Sequence, residues 1–164
     1  MTEPCIEFVF GEKNDQLGGE LRAFWRQNVN AYQEELKSFR TTFDNKQKRI
    51  TLIKKPLSRK PAAFSRDESG VINGVVSVAL REIEDSLGLG THAYFQRMYI
   101  IPESRSPRLA NQLYKTFLQG FDREAEKRDH RAKVLLSENM NPGLQKASMR
   151  RYFARLGFRM LGVN

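Results

Sequence analysis

The chain lacks the features that mark secreted proteins, membrane-spanning proteins and proteins with cysteine-liganded metals. Cys5 is its only cysteine, which excludes an internal disulfide bond and a metal site built from several cysteines. No apolar run approaches the roughly 20 residues that a membrane-spanning helix needs. The N-terminal MTEPCIEFVF has neither the basic start nor the long apolar segment of a signal peptide. These absences favour a cytoplasmic protein with no metal cofactor and no membrane partner.

Positive charge is what the chain has in excess. It carries 28 Lys and Arg against 19 Asp and Glu, a net charge of +9 over 164 residues. The stretch 40–60, RTTFDNKQKRITLIKKPLSRK, holds eight basic residues and one acidic residue. Such a stretch attracts nucleic acid, a phosphorylated ligand or an acidic protein, unless it is only a solvated surface. No signature of a nucleic-acid-binding fold accompanies it, which argues against a nucleic-acid partner.

The hydrophobic pattern of the first half predicts one long helix and a series of strands. CIEFVF at 5–10 is a strand, and apolar residues spaced three and four apart predict a helix from about 19 to about 39. RITLI at 49–53 is a strand, and the proline-bracketed KKPLSRKP that follows is a loop. Asp67 to Gly70 is the turn of a hairpin between two strands, and Gly74 marks a bulge in the second of them.

The second half predicts alternating strands and helices. A strand covers 93–101, and a clear amphipathic helix follows with Ser106 as N-cap and Pro107 at its first position. AKVLLS at 132–137 is typical of a buried central strand. A last helix from 141 to about 156 ends at Gly157. The order predicts one α/β domain over residues 1–164, with a mixed sheet.

Arg105 and Arg108 stand at the joint between the strand at 93–101 and the helix that starts at Pro107. The N-terminus of a helix presents unpaired N–H groups and the positive end of the helix dipole. Two arginines beside it would complete an anion site for a phosphate or pyrophosphate. The alternative is an exposed turn with two solvated arginines.

Two segments resemble motifs of the GCN5-related N-acetyltransferase (GNAT) superfamily. The segment 96-QRMYIIPESRSPRLANQL-113 is similar to its cofactor motif, a strand ending in V-x-P followed by Q/R-x-x-G-x-G/A at the start of a helix. The segment 152-YFARLGF-158 is similar to its second motif, Y-x-x-x-G-F. Two positions depart from the family pattern. Arg108 replaces the central glycine, and Phe153 stands where the spacing from Gly157 places the family's tyrosine.

The resemblance implies a mixed, mostly antiparallel sheet flanked by helices, and an N-acyltransferase. Such an enzyme moves an acyl group, above all acetyl, from acetyl-CoA or another acyl-CoA to a small-molecule or peptide amine. The residues that the resemblance assigns to cofactor binding are Met98, Ile100, Arg105, Ser106, Arg108, Leu109 and Ala110. Met98 and Ile100 would act through their backbone groups.

The catalytic candidates are less sharply defined than the cofactor residues. Glu82 is the candidate base, with Glu84 and His92 as the other titratable residues near the expected cleft. Gln96 lies in the cofactor strand, but a glutamine cannot act as a base. Tyr152 is the candidate proton donor to the leaving thiolate, although Phe153 holds the family's position.

The departures leave two alternatives open. Relatives such as acyl-homoserine-lactone synthases and N-acyl amino acid synthases take acyl-phosphopantetheine from an acidic carrier protein, which the stretch 40–60 would attract. The other alternative is a catalytically inactive GNAT-fold protein that binds nucleic acid or a protein. The short segment after the last helix leaves two further expectations open: a second subunit of a homodimer supplies part of the acceptor wall, or the sequence is truncated.

Overall fold

The computed structural model describes residues 4–42, 53–84, 88–137 and 146–158. The described helices and strands are β1 Cys5–Phe8, α1 Asp15–Thr42, β2 Ile53–Arg66, β3 Ile72–Ile83, β4 His92–Ile100, α2 Pro107–Arg123, β5 Ala132–Ser137 and α3 Ala147–Arg155. By their contacts, the described residues fall into two units, 4–29 with 53–84 and 88–137, and 30–42 with 146–158. The expected single domain over 1–164 stays a prediction. None of the helices in the described ranges is both long and apolar enough to cross a membrane.

The first unit contains a five-stranded sheet in the order β1-β2-β3-β4-β5. The first three pairs of neighbours are antiparallel, and β4 and β5 are parallel. The parallel pair requires a crossover, which α2 provides between β4 and β5. The predicted mixed, mostly antiparallel sheet is therefore confirmed. The prediction that 132–137 is a central strand is wrong for the described sheet, because β5 is its last strand and is only partly buried.

The predicted loop after residue 53 is wrong, because β2 continues through both of its prolines to Arg66. The pairing of β2 with β3 shifts register beside Pro56 and beside Pro61. A proline has no N–H to donate, so strands accept it at bulges and along edges without a partner. In the described sheet the pairing of β1 with β2 covers residues 63–66 of β2, so both prolines lie outside it. Residues 49–52 of the predicted strand lie outside the described residues.

The predicted hairpin and its irregularity are both present. The Asp67 carboxylate accepts hydrogen bonds from the amides of Ser69, at 2.9 Å, and Val71, at 3.0 Å. Beyond the turn, Arg66 pairs with Ile72 and Ser65 pairs with Gly74, so that Asn73 is the extra residue of a bulge. A Cβ atom at position 74 would lie 2.7 Å from the Ser65 hydroxyl oxygen, which explains why a glycine stands there.

The two faces of the first unit's sheet are covered by different helices. Phe24 and Trp25 of α1 contact Tyr99 on one face, with ring centroids 6.3 and 6.2 Å apart. On the other face, Tyr94 contacts Phe121 of α2 at 5.3 Å. Alternate residues of a strand point to opposite faces, as these two tyrosines do. The core cluster on the α2 side comprises Phe10, Ala62, Ala63, Val76, Val78, Leu80, Tyr94, Ile100, Leu109, Leu113, Phe117 and Phe121.

The second unit contains the end of α1 and the whole of α3. Helix α3 ends in a Schellman motif, in which the Phe158 amide donates to the Phe153 carbonyl and the Gly157 amide donates to the Ala154 carbonyl, both at 3.0 Å. Gly157 has a φ of +94°, as the motif requires, so the predicted end of this helix is confirmed. The rings of Phe153 and Phe158 contact each other at 6.0 Å. The predicted start of the helix at 141 lies outside the described residues.

Candidate functional site

Strand β4 continues past the described end of its parallel neighbour. Pairing between β4 and β5 runs from His92 opposite Ala132 to Gln96 opposite Ser137. β4 then extends to Ile100, so its residues 97–100 lie beyond the described part of β5. We call residues 97–100 the open end of β4 and residues 92–96 its closed end.

The backbone of the open end directs two amides away from β3. The Ile101 amide donates to the Asn73 carbonyl of β3 at 3.0 Å. In an antiparallel pair, alternate residues turn their N–H groups to the same neighbour. The amides of Arg97 and Tyr99 therefore face β3, and those of Met98 and Ile100 face the opposite edge. This is the orientation that the predicted backbone roles of Met98 and Ile100 require.

Arg105 holds the end of β4 to the start of α2. Its Nε atom donates a hydrogen bond of 2.7 Å to the Ile100 carbonyl. Its guanidinium carbon lies 5.3 Å from the centre of the Tyr99 ring, which is a cation–π distance. The residue is nevertheless exposed. Arg105 thus has a structural role at the joint, whereas the sequence indicates only an anion-binding role.

Ser106 is the N-cap of α2, as predicted. Its hydroxyl oxygen accepts from the Leu109 amide at 3.0 Å, and its carbonyl accepts from the Ala110 amide at 3.1 Å. The Leu109 amide, one of the N–H groups that a helix start leaves without an intrahelical partner, is therefore already bonded within the cap, and the Ala110 bond is the first ordinary bond of the helix. A phosphate at this helix end would depend on side chains more than on these amides.

The open end and the joint carry a positive surface. Arg97, Arg105 and Arg108 are exposed there, and Glu103 in the 3-10 turn Pro102–Ser104 is the acidic residue among them. The positive end of the α2 dipole adds to these charges. This part of the molecule is suited to a phosphate-bearing ligand. Of the basic stretch 40–60, the structure describes two basic side chains, Arg59 and Lys60, which are exposed.

The predicted base does not lie at the open end. Glu82 pairs with His92, the first residue of β4, whereas Val78 pairs with Gln96, the last residue of the closed end. Four residues of strand separate Glu82 from Val78, which is about 13 Å at the usual rise per residue. Direct proton transfer needs hydrogen-bond distance or one bridging water. The structure places Glu82 beside the start of the closed end of β4 and not beside the open end. Its role as the base stays a prediction.

The other titratable candidates are spread over the molecule. His92 is only 7% exposed, and its Nδ1 atom lies 2.8 Å from the Thr91 hydroxyl. Glu84 is exposed directly after β3. Tyr152 lies on α3 in the second unit, where burial raises the pKa of its phenol. A raised pKa keeps the phenol protonated at neutral pH, as a proton donor requires. Its catalytic role stays a prediction.

Sequence reasoning missed the contact between Gln96 and Tyr114. The side-chain amide of Gln96 in β4 meets the Tyr114 hydroxyl of α2, 18 residues further along the chain. The sequence indicates Tyr114 as a flank of the apolar stripe of α2 and Gln96 as a residue that cannot be a base. The sequence did offer a signal for this contact. Gln96 is a polar residue two positions after Tyr94, so it faces the same side of the sheet as that core residue.

No family model matches the chain, and no curated protein matches it by sequence. The structure is similar to that of glucosamine-6-phosphate N-acetyltransferase from Arabidopsis thaliana, with a TM-score of 0.50 and 8% identity over 99% of this chain and 96% of that chain. An aminoglycoside N-acetyltransferase in complex with CoA aligns with a TM-score of 0.47 and 13% identity over 99% of this chain and 95% of that chain. The strand order with its parallel last pair and the likeness to the plant enzyme establish that this chain has the GNAT fold.

Proposed function

We propose that the protein is an N-acyltransferase that moves an acyl group, above all acetyl, from a CoA thioester to the amine of a small molecule or peptide. The open end of β4 carries this proposal. In the described part of the sheet it has no neighbour on the side away from β3, to which the Met98 and Ile100 amides are directed, and it lies next to a helix N-terminus with exposed Arg105 and Arg108. The similarity in fold to an N-acetyltransferase supports it at the level of the fold.

The residues present fit an extended acyl-donor arm that ends in a phosphate. An extended ligand with its own amide groups can hydrogen-bond to an unpaired strand edge as an added strand does. The Met98 and Ile100 amides supply donors on this edge. Arg105 and Arg108 would then bind the phosphate end of the arm by charge-assisted hydrogen bonds, with the α2 dipole behind them.

The acyl donor supplies an activated thioester carbonyl. The protein must hold this carbonyl, stabilise the negative charge that develops on its oxygen and transfer two protons. Attack by an amine places negative charge on the carbonyl oxygen, and outward N–H groups of β4 are suited to stabilise that oxyanion. The amine loses a proton and the thiolate gains one. The family resemblance assigns the gain to Tyr152, a phenol that is protonated at neutral pH. Glu82 is assigned the amine proton, and because about 13 Å of strand separates it from Val78, a chain of several waters would have to carry that proton.

Calorimetry with CoA tests the placement of the donor. Arg105→Ala and Arg108→Ala should each weaken CoA binding roughly 10- to 100-fold, the usual size of a lost charge-assisted contact. The matched control is Arg123→Ala, an exposed arginine in the last turn of the same helix, which should leave the affinity unchanged. Equal affinity in all four proteins would show that the phosphate is not bound at this joint. Release of free thiol from acetyl-CoA with a panel of amines then tests the reaction itself.

The occupied cap of α2 favours a second candidate. Because the Leu109 amide already donates to the Ser106 hydroxyl and Pro107 has no N–H, the joint offers fewer backbone donors for a pyrophosphate than a glycine-rich loop would. An acyl group on the single phosphodiester of a carrier protein needs fewer of them. Free 4′-phosphopantetheine separates the two donors: CoA should bind clearly more tightly than this shorter ligand if the leading proposal holds. Equal affinities would favour the carrier protein.

A further inference from the structure

Gln96 lies where β4 parts from the described end of β5, on the side of the sheet that faces α2. It is the last residue of β4 in the described pairing with β5, opposite Ser137. On β3 it faces Val78, which is 2% exposed. One end of its carboxamide meets the Tyr114 hydroxyl of α2. The side chain is therefore held between the sheet and the helix at the base of the open end.

The other end of this carboxamide is buried and has no hydrogen-bond partner among the described residues. A buried polar atom without a partner costs about 1–3 kcal/mol relative to a satisfied one. The neighbouring positions on this face are apolar core residues, Val78 and Tyr94 among them, so a leucine would suit the site better. A sequence that keeps a polar group against the local preference points to a role in binding rather than in stability.

We propose that Gln96 is a specificity-determining residue that binds a secondary amide of the acyl donor's arm, with Tyr114 holding its carboxamide in place. A secondary amide offers one N–H donor and one carbonyl acceptor, and a carboxamide offers a match for either. Whichever way the Gln96 amide is turned, one end meets Tyr114 and the other is left for the ligand. This inference rests on the proposed function, and it applies to CoA and to a carrier-protein arm alike, because both arms carry such amides.

Two ligands isolate the contribution of the arm. CoA contains the arm, and adenosine 3′,5′-bisphosphate contains the adenosine and two of the three phosphates of CoA without it. In calorimetry, Gln96→Leu should weaken CoA binding about tenfold, the loss of one buried hydrogen bond. It should leave adenosine 3′,5′-bisphosphate binding unchanged. The matched control is Gln119→Leu on the exposed side of α2, which should change neither affinity.

Thermal melting of the ligand-free protein separates a binding role from a structural one. Gln96→Leu should melt at the same or a higher temperature than the wild type, because it removes an unsatisfied buried atom. Tyr114→Phe, which removes only the hydroxyl that holds the carboxamide, should also weaken CoA binding, by less than Gln96→Leu. A lower melting temperature of Gln96→Leu, together with equal losses for both ligands, would make Gln96 a structural residue and overturn the inference.

The failure of this inference differs from the failure of the proposed function. If the wild type binds CoA and Gln96→Leu binds it equally well, only the role of Gln96 is wrong. If the wild type binds neither CoA nor a carrier protein loaded with its phosphopantetheine arm, the proposed function and this inference are both wrong. If the carrier protein alone binds, the same variants are measured against its loaded and unloaded forms, and only the loaded form should lose affinity in Gln96→Leu.

Discussion

The two ends of β4 are built differently although they belong to one strand. At the closed end β4 pairs with β3 on one side and β5 on the other. The Tyr94 hydroxyl there accepts a hydrogen bond of 2.7 Å from the Asp129 amide. The Asp129 carboxylate accepts hydrogen bonds from two side-chain nitrogens of Arg131, at 2.8 and 3.0 Å. Hydrogen bonds from the Arg131 side chain and amide hold the pKa of Asp129 far below its usual range.

At the open end only β3 pairs with β4 in the described part of the sheet, and the charged side chains lie on the surface. Met98 is 37% exposed, and Arg97, Arg105 and Arg108 are exposed around it. The difference indicates that the two ends of β4 have different roles, one in stability and one in ligand binding. The closed end is paired on both sides and stabilises the sheet, apart from its last residue, Gln96, which we assign to the donor's arm. The open end directs amides and positive charge to the outside, which is what binding a ligand requires.

The largest effect should come from crowding the open end. Gly74 lies opposite Ile100, and a Cβ there would come within 2.7 Å of Ser65 Oγ and 3.1 Å of Ile100 Cγ1. We expect Gly74→Ala to lower the free energy of unfolding by about 1–3 kcal/mol, as overpacking commonly does. It should also weaken CoA binding, because Ile100 must move. Urea denaturation and calorimetry measure the two effects.

The control for that substitution is Gly70→Asn. A Cβ atom at Gly70 would meet open space, with nothing within 4 Å, and the φ of +83° is one that asparagine tolerates better than other residues. Its stability and CoA affinity should stay close to the wild type. If Gly70→Asn were the more damaging of the two, backbone conformation and not crowding would govern this hairpin.

A smaller effect should come from the closed end, and it should be confined to stability. Tyr94→Phe removes the acceptor of the Asp129 amide and should lower the free energy of unfolding by about 1–2 kcal/mol. CoA affinity should not change, since Tyr94 is not among the residues that we assign to the ligand. A loss of affinity as large as that of Arg105→Ala would contradict the division of β4 into a stabilising end and a binding end.

The smallest effect should come from the cap of α2. Ser106→Ala removes the hydroxyl that accepts from Leu109 and should cost about 1 kcal/mol of stability, whereas Ser106→Gly should cost only a few tenths. Either change frees the Leu109 amide, so CoA affinity should be equal or higher in the glycine variant. A marked loss of CoA affinity in Ser106→Gly would instead assign the hydroxyl to the ligand, in line with the family resemblance.

Local chemistry explains which elements could be predicted. The start of α2 follows from Ser106 and Pro107, and the end of α3 follows from Gly157, because caps depend on residues within one helical turn. The path of β2 could not be predicted in the same way. Its prolines indicate a loop to any local rule, whereas the folded strand accommodates them where its pairing with β3 shifts register.

The candidate site also contains residues that local sequence predicts and residues whose position depends on strand pairing. The residues of the joint can be found from the sequence, because strand, proline, arginines and helix follow one another within 97–110 and resemble a known motif. The sequence also puts Glu82 near the cleft because it ends a neighbouring strand, but the register of the antiparallel pair places it opposite the first residue of β4. A shift of register along the strand cannot be read from the composition of that strand.

The amino-acid sequence alone was enough for the described helices, the strands apart from the course of β2 and the place of β5 in the sheet, the caps at Ser106 and Gly157, the basic joint before α2 and the family whose fold the chain has. These depend on residues close together in the chain and on patterns with a fixed period. The folded structure was needed to show that Arg105 is anchored on Ile100 and Tyr99, that the cap occupies the Leu109 amide, and that Gln96 meets Tyr114. Each of these depends on backbone geometry, strand register or the packing of α2 on the sheet, and such contacts are fixed only when the whole unit folds.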